Sequence, residues 1–164
     1  MKGKILKLSE FLPVREKLRQ DKNIVVFTNG CFDLIHRGHI EYLQKAKKLG
    51  DILVVGLNTD SSIRRIKGEK RPILKESDRA LILASLFFVD YVIFFDEDTP
   101  ENLIKQIKPD ILAKGADWTE TNIVGADFVR SYGGKVVRIE LTEGYSTTRI
   151  IERIIELYCK GGER

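Results

Sequence analysis

Five short, continuously apolar runs recur along this chain: Ile24-Val25-Val26-Phe27, Ile52-Leu53-Val54-Val55, Tyr91 to Phe95, Ile111-Leu112-Ala113 and Val136 to Ile139. An unbroken run of such residues, without polar alternation, is the pattern of a strand buried on both faces. The stretches between them read as helices. Ile40, Leu43, Ala46 and Leu49 share one helical face. Thr59, Asp60 and Ser61 offer caps for a short helix, and Ser77 opens another with Leu81, Ile82, Ser85, Leu86 and Val89 along its inner side. Thr99-Pro100-Glu101 starts a further helix, with proline expected at the first helical position. Thr147 to Tyr158 forms the last, its apolar face made of Ile150, Ile151, Ile154, Ile155 and Tyr158. Alternating strands and helices leave few architectures: the fold class expected is α/β, a doubly wound sheet of about five parallel strands covered on both faces. Ahead of the first run, Ser9 caps an expected helix over 10–21. Residues 1–23 are thereby read as a helical extension packed on a domain spanning 24–160.

The chain has 164 residues, 43% hydrophobic and 32% charged, which suits one globular domain with a proper core. No apolar run approaches the ~20 residues of a membrane span, and the N-terminus lacks the pattern of a signal peptide. Two distant cysteines, Cys31 and Cys159, do not make a disulfide framework. The expectation is a reduced, cytoplasmic protein with no membrane partner.

Both histidines of the chain fall in Thr28-Asn29-Gly30-Cys31-Phe32-Asp33-Leu34-Ile35-His36-Arg37-Gly38-His39, between the first strand and the helix after it. Gly30 and Gly38 permit tight turns and close approach of backbone to a ligand. A helix N-terminus presents free N–H groups and partial positive charge, so this junction suits an anion such as phosphate. Two other readings of the same residues stand beside that one. The pair can simply cap or pack a helix, or Cys31, Asp33, His36 and His39 can ligate zinc.

The net charge of +4 is concentrated. Residues 64–75 hold Arg64, Arg65, Lys67, Lys70, Arg71 and Lys75 against Glu69 alone, a local +5. Gly68 and Pro72 interrupt any helix there, and the segment follows a strand, where α/β proteins place ligand loops. Read as a loop, it clamps a polyphosphate; the plainer reading is a solvated surface. A short basic cluster without an RNA-binding aromatic motif does not suit nucleic acid. Neither a dinucleotide fingerprint nor a P-loop is present.

A phosphate monoester is largely dianionic at neutral pH, its second pKa being ~6, so its attack on a nucleoside triphosphate needs no general base. Such a site must hold two anions in line and stabilise charge on the α-phosphate and the leaving pyrophosphate. His36 and His39 can donate to phosphate oxygens. Lys67, Lys70 and Arg71 can offset the β- and γ-phosphates, and Mg²⁺ carried on the triphosphate would neutralise more.

The stretch from Asn29 to His39, ending in His-X-Gly-His, resembles the signature of the nucleotidyltransferase superfamily that includes the cytidylyltransferases. Thr142-Glu143-Gly144-Tyr145-Ser146-Thr147-Thr148 resembles its Ser/Thr-rich nucleotide-binding segment. The resemblance implies a Rossmann-like nucleotidyltransferase fold, with His36, His39, Lys67 and Lys70 as the catalytic groups. It also implies nucleotide contacts from Thr28, Asn29, Gly30, Cys31, Phe32, Asp33, Gly38, Arg71, Arg79, Lys114, Gly115, Asp117, Trp118, Ser146, Thr147 and Thr148. No protein-held metal is implied.

Within the superfamily, Arg65 to Pro72, Phe95 to Pro100 and Lys108 to Asp117 resemble the adenylyltransferase domain of the bifunctional heptose kinase/adenylyltransferase (ADP-heptose synthase). Ala116 stands where that family commonly has glycine, and Leu141 where glycerol-phosphate cytidylyltransferases have arginine. The implied reaction is AMP transfer from ATP to D-glycero-β-D-manno-heptose 1-phosphate, giving ADP-heptose and pyrophosphate for lipopolysaccharide core synthesis. The alternative is cytidylyl transfer to glycerol 3-phosphate or a related alcohol phosphate. The chain has no room for a sugar-kinase domain, so a separate kinase is expected. A homodimer is compatible with the resemblance.

Overall fold

The alternation of strands and helices resolves into one sheet of six parallel strands, in the order β1-β4-β3-β2-β5-β6. In this computed structural model, residues 3–117, 119 and 122–159 are described. The strands are β1 (Ile5–Leu6), β2 (Val25–Gly30), β3 (Ile52–Asn58), β4 (Tyr91–Phe95), β5 (Ile111–Gly115) and β6 (Lys135–Ile139). The helices are α1 (Leu8–Gln20), α2 (Arg37–Lys47), α3 (Asp60–Lys67), α4 (Glu76–Ser85), α5 (Glu101–Ile107), α6 (Ala126–Ser131) and α7 (Thr147–Tyr158).

Strand pleating sends alternate residues to opposite faces, and each face has its own core. Val26, Leu53, Val55 and Val92 pack with Tyr42, Leu43 and Ala46 of α2 and with Ala80, Leu83 and Ala84 of α4. Val25, Phe27, Val54 and Ile93 point the other way, onto Phe11 of α1, Leu103, Ile104 and Ile107 of α5, and Ala126 and Val129 of α6. Both faces of the sheet are covered by buried side chains, which is why the strands carry no polar alternation.

The order places β2 between β3 and β5. The chain leaves β2 toward β3 and β4, then returns to add β5 and β6 on the other side. That reversal opens a crevice at the carboxyl ends of the strands, where ligands of doubly wound folds bind. No helix among the described residues is long and apolar enough to cross a membrane.

Several local expectations are corrected. Ile5–Leu6 adds a sixth strand, parallel to β4, so the residues ahead of position 24 supply a sheet edge as well as a helix. Helix α1 begins at Leu8 with Lys7 as its N-cap, not at Ser9. Helix α4 is capped by Lys75, and its inner stripe is Arg79, Ala80, Leu83 and Ala84. Leu81 and Ile82 face water, because they lie between the successive i, i+4 positions that meet the sheet. Pro100 is the N-cap of α5, so the helix begins at Glu101, one residue later than expected. Arg64, Arg65 and Lys67 belong to α3, so only residues 68–75 of the basic segment form a loop. Helix α7 has the expected apolar stripe, yet none of its residues is buried; Ile154 is 48% exposed and Tyr158 80%.

Candidate active site

A cavity of about 730 Å³ lies over the carboxyl ends of β2, β3, β4 and β5. Its floor is the exit of β2, Asn29 to Asp33, and its centre is the start of α2. His36 is the N-cap of that helix: its Nδ1 accepts from the His39 backbone N–H at 3.4 Å. The two imidazoles stack, with centroids 3.8 Å apart and 20° between planes. With Nδ1 of His36 accepting, its proton is on Nε2. Gly38 permits this packing, since a Cβ there would sit 3.1 Å from the His36 ring and 3.1 Å from Tyr145 Cβ.

Burial, together with the neighbouring His36, holds the His39 imidazole down at about 4, and burial also lowers His36. Burial thus favours the neutral form of both imidazoles, in which each ring keeps one N–H to donate. The zinc arrangement is not assembled. The rings face each other, Asp33 is committed elsewhere, and among the described residues no three His, Cys, Asp or Glu side chains gather as a metal-binding group.

Asp33 organises the surroundings. Its carboxylate is inaccessible to solvent and accepts from Arg71 Nε at 2.9 Å, Ile73 N–H at 2.8 Å and Leu74 N–H at 3.0 Å. Its backbone carbonyl accepts from the Thr147 hydroxyl at 2.7 Å. One residue thus joins the histidine turn, the loop after α3 and the start of α7. Its neighbours Phe32 and Leu34 have φ of 45° and 52°, left-handed conformations that cost a non-glycine residue ~1–2 kcal/mol each. The bonds to Asp33 hold that turn in place. Asp33 was expected to contact nucleotide; it lines the cavity, but its oxygens serve the loop.

The cavity has two flanks. Over β5 and β6 lie Lys114, Gly115, Asp117 and Leu141. Burial brings the Lys114 ammonium down to about 8, with Asp117 pulling it the other way; its Nζ donates to Asn29 Oδ1. At Gly115 the backbone runs close under Asp117: a Cβ would fall 2.4 Å from Asp117 Oδ1, so a larger residue requires that side chain to swing aside. On this side, too, α7 starts, with Ser146 as N-cap accepting from Arg149 N–H at 3.1 Å and Thr147 and Thr148 facing the cavity. The turn before α7 is tied to α2: Arg37 donates to Glu41 at 2.6 Å and stacks over Tyr145 at 5.5 Å, and Thr142 bonds Glu41. Over β3 and β4 lie Asn58, Ile66, Lys67, Arg71 and the turn Asp98-Thr99-Pro100.

Most of the expected ligands therefore share one cavity: Asn29, Gly30, Cys31, Phe32, His36, Gly38, His39, Lys67, Arg71, Lys114, Gly115, Asp117, Ser146, Thr147 and Thr148. Three do not reach it. Thr28 is fully buried below the floor, 2.7 Å from the Tyr42 hydroxyl, which itself donates to Ala113 O. Arg79 is also fully buried. It donates to the carbonyls of Leu74, Cys31 and Asn58 and to Asp60, pinning the exits of β2 and β3 together from beneath. Lys70 is exposed in the loop and does not line the cavity. Trp118 lies outside the described residues. Tyr42, Asn58, Ile66, Asp98, Thr99 and Leu141 line the cavity without having been expected as ligands; for Asp98 and Thr99 the signal was their place just after a strand.

The chain matches the family model described as cytidylyltransferase-like over residues 27–153. The bifunctional protein HldE of Syntrophotalea carbinolica is 58% identical over 148 residues, 90% of this chain and 30% of that one. HldE of Helicobacter pylori strain Shi470 is 56% identical over 151 residues, 92% of this chain and 31% of that one. The chain thus spans about a third of the length of these curated relatives. Among solved structures, a lipopolysaccharide core biosynthesis protein from Thermoplasma volcanium is 33% identical, with a TM-score of 0.60 over 76% of this chain and 99% of that one. Pantoate-beta-alanine ligase from Francisella tularensis shares the fold, with a TM-score of 0.62, 16% identity, and coverage of 93% of this chain and 78% of that one. With its histidine turn, its parallel sheet and a family match across most of its length, the chain belongs to the cytidylyltransferase-like family.

Proposed function

We propose that the chain transfers AMP from ATP to D-glycero-β-D-manno-heptose 1-phosphate, giving ADP-heptose and pyrophosphate. One observation carries the reading: two neutral, stacked histidines and the N-termini of α2 and α7 converge on one cavity at the sheet's switch point. Convergent N–H and hydroxyl donors without a paired acid and base suit phosphoryl chemistry driven by positioning and charge stabilisation.

In this mechanism the adenosine lies over β5 and β6, beside Lys114, Gly115, Asp117 and Leu141. The triphosphate, carrying Mg²⁺ as part of the substrate, curves across His36 and His39 to the start of α7. A phosphate oxygen of the sugar attacks the α-phosphorus from the opposite flank, where Lys67 and Arg71 serve the acceptor phosphate in place of the β- and γ-phosphates first expected for them. The new P–O bond forms as the bond to the β-phosphate oxygen breaks, and pyrophosphate leaves past Thr147 and Thr148. No proton has to be removed from the nucleophile, since the acceptor phosphate is already a dianion. Preorganised donors lower the barrier because they face charge as it develops.

The acceptor requires a sugar kinase, separate or fused, and the working enzyme is cytoplasmic. Two copies of the chain pair in this reading. The test is pyrophosphate release with ATP or CTP against heptose 1-phosphate or glycerol 3-phosphate. ATP with heptose 1-phosphate is expected to exceed every other pair by more than tenfold, because a mismatched base leaves buried polar groups unpaired. Equal or better use of CTP, or of glycerol 3-phosphate, overturns the reading.

A further inference from the structure

We propose that the flank of the cavity over β3 and β4 is the acceptor subsite, and that Asp98 and Thr99 read the hydroxyls of the sugar phosphate. This inference rests on the adenylyltransferase reading above and assigns residues to the half of the cavity that the nucleotide leaves open.

The sheet order supplies the first argument. The reacting phosphates meet over β2, whose two neighbours carry different walls. The β5 flank, with a buried amine, a carboxylate and the glycine they close over, continues into the start of α7. In-line displacement places attacking and leaving oxygens on opposite sides of the α-phosphorus. With pyrophosphate departing toward α7, the acceptor has to arrive from the β3 flank. The cations there, Lys67 and Arg71, suit its phosphate.

The chemistry of that flank is the second argument. Arg65 Nε holds Asp98 Oδ1 at 2.8 Å, and its guanidinium also pairs with Asp96 at 3.6 Å. The Asp98 carboxylate is therefore fixed in direction before any ligand arrives. Its second oxygen accepts from no described residue, and the Thr99 hydroxyl is bonded to none. An oriented carboxylate beside a free hydroxyl offers acceptors for neighbouring sugar hydroxyls and one donor in return. Ile66, 39% exposed on the same wall, provides apolar surface for the C–H face of a sugar ring. The Asp98 carboxylate repels phosphate, so the acceptor's own phosphate lies toward Lys67 and Arg71 while its hydroxyls face Asp98 and Thr99.

Asp98→Asn and Thr99→Val test the proposal. Both positions are exposed, and Asp96 remains to hold Arg65, so folding is preserved and thermal midpoints match the parent. The KM for heptose 1-phosphate is expected to rise about 10- to 100-fold in Asp98→Asn and about tenfold in Thr99→Val, the range for losing a hydrogen bond to a charged or neutral group. The KM for ATP stays within twofold. Turnover at saturating acceptor falls far less than KM rises. Unchanged acceptor KM in both variants, or a parallel rise in ATP KM, overturns the assignment. Calorimetric titration of heptose 1-phosphate without nucleotide separates this inference from the reading beneath it. If the parent binds the sugar phosphate but does not transfer AMP, the function is wrong; the subsite then stands if Asp98→Asn loses that binding and falls if it does not. A parent that binds no sugar phosphate overturns both.

Discussion

Replacing Asp33 with alanine tests how much of the site hangs on one buried carboxylate. The side chain accepts three hydrogen bonds, two from the backbone of residues 73 and 74 and one from Arg71. Removing one partner of a buried ion pair costs ~3–5 kcal/mol. Arg71 keeps 21% side-chain exposure and can partly rehydrate, which favours the lower end. The two amides left unpaired cost ~1–3 kcal/mol each if they stay buried, but the loop that carries them is at the surface and can turn toward water. Relaxation of Phe32 and Leu34 from their left-handed conformations returns part of the loss. The sum is a loss of ~3–4 kcal/mol, a large fraction of the ~5–15 available to a domain. At ~2–4 °C per kcal/mol for a chain of this size, the thermal midpoint falls roughly 6–16 °C. Asp33→Asn keeps one acceptor oxygen and should lose about half as much. Urea denaturation gives the stability, and limited trypsin digestion after Lys70 and Lys75 reports the loop. A loss under ~1 kcal/mol with an unchanged digestion pattern would show that the Asp33 bonds do not hold the loop, and would refute the reasoning.

Three further outcomes are expected. His39 is neutral down to about 4 in the folded protein but titrates near 6.5 when unfolded. The unfolded state therefore takes up a proton first, and stability drops as pH falls from about 6.5 to about 4, then levels; His39→Gln should flatten that slope, and an unaltered slope contradicts the assignment. Gly38→Ala presses a methyl against His36 and Tyr145; turnover should fall ~10- to 100-fold, the size of a displacement of up to 1 Å, with the thermal midpoint little changed, and normal kinetics would count against the stacked arrangement. Arg79→Lys loses the fork that reaches three carbonyls and Asp60; it should cost ~3–5 kcal/mol, measured by denaturant midpoint, and a loss below ~1 kcal/mol would mean the network is dispensable.

The sheet was legible because each strand is buried on both sides and shows it as an unbroken apolar run. Ile5–Leu6 was not, since two residues carry no period. The direction of Leu81 and Ile82 was misread for a related reason: α4 is rich in apolar residues, and only its packing against the sheet selects the stripe at Arg79, Ala80, Leu83 and Ala84. At the site, the histidines and the hydroxyls of Ser146 to Thr148 were readable because a helix start is a local feature. Asp33, Thr28 and Arg79 were grouped with the ligands by their place in or near motifs. Apart from the Arg79–Leu74 bond, their side-chain partners lie 14 to 48 residues away, and only the folded chain reveals that their polar atoms are already engaged.

Helix α7 places hydroxyls at the cavity while contributing nothing to either core. Its hold on the body near the site comes from Thr147 on the Asp33 carbonyl and from the Tyr145 turn on Arg37. Elements tied by few buried contacts open locally at far less cost than the whole domain. One wall of the cavity can therefore detach and re-form while both sheet faces stay intact. A nucleotide bound at the helix start, as proposed above, would stabilise the closed form by mass action, with part of its intrinsic affinity spent on ordering α7. Apparent affinity is then set as much by how often this helix is docked as by the contacts it makes once there.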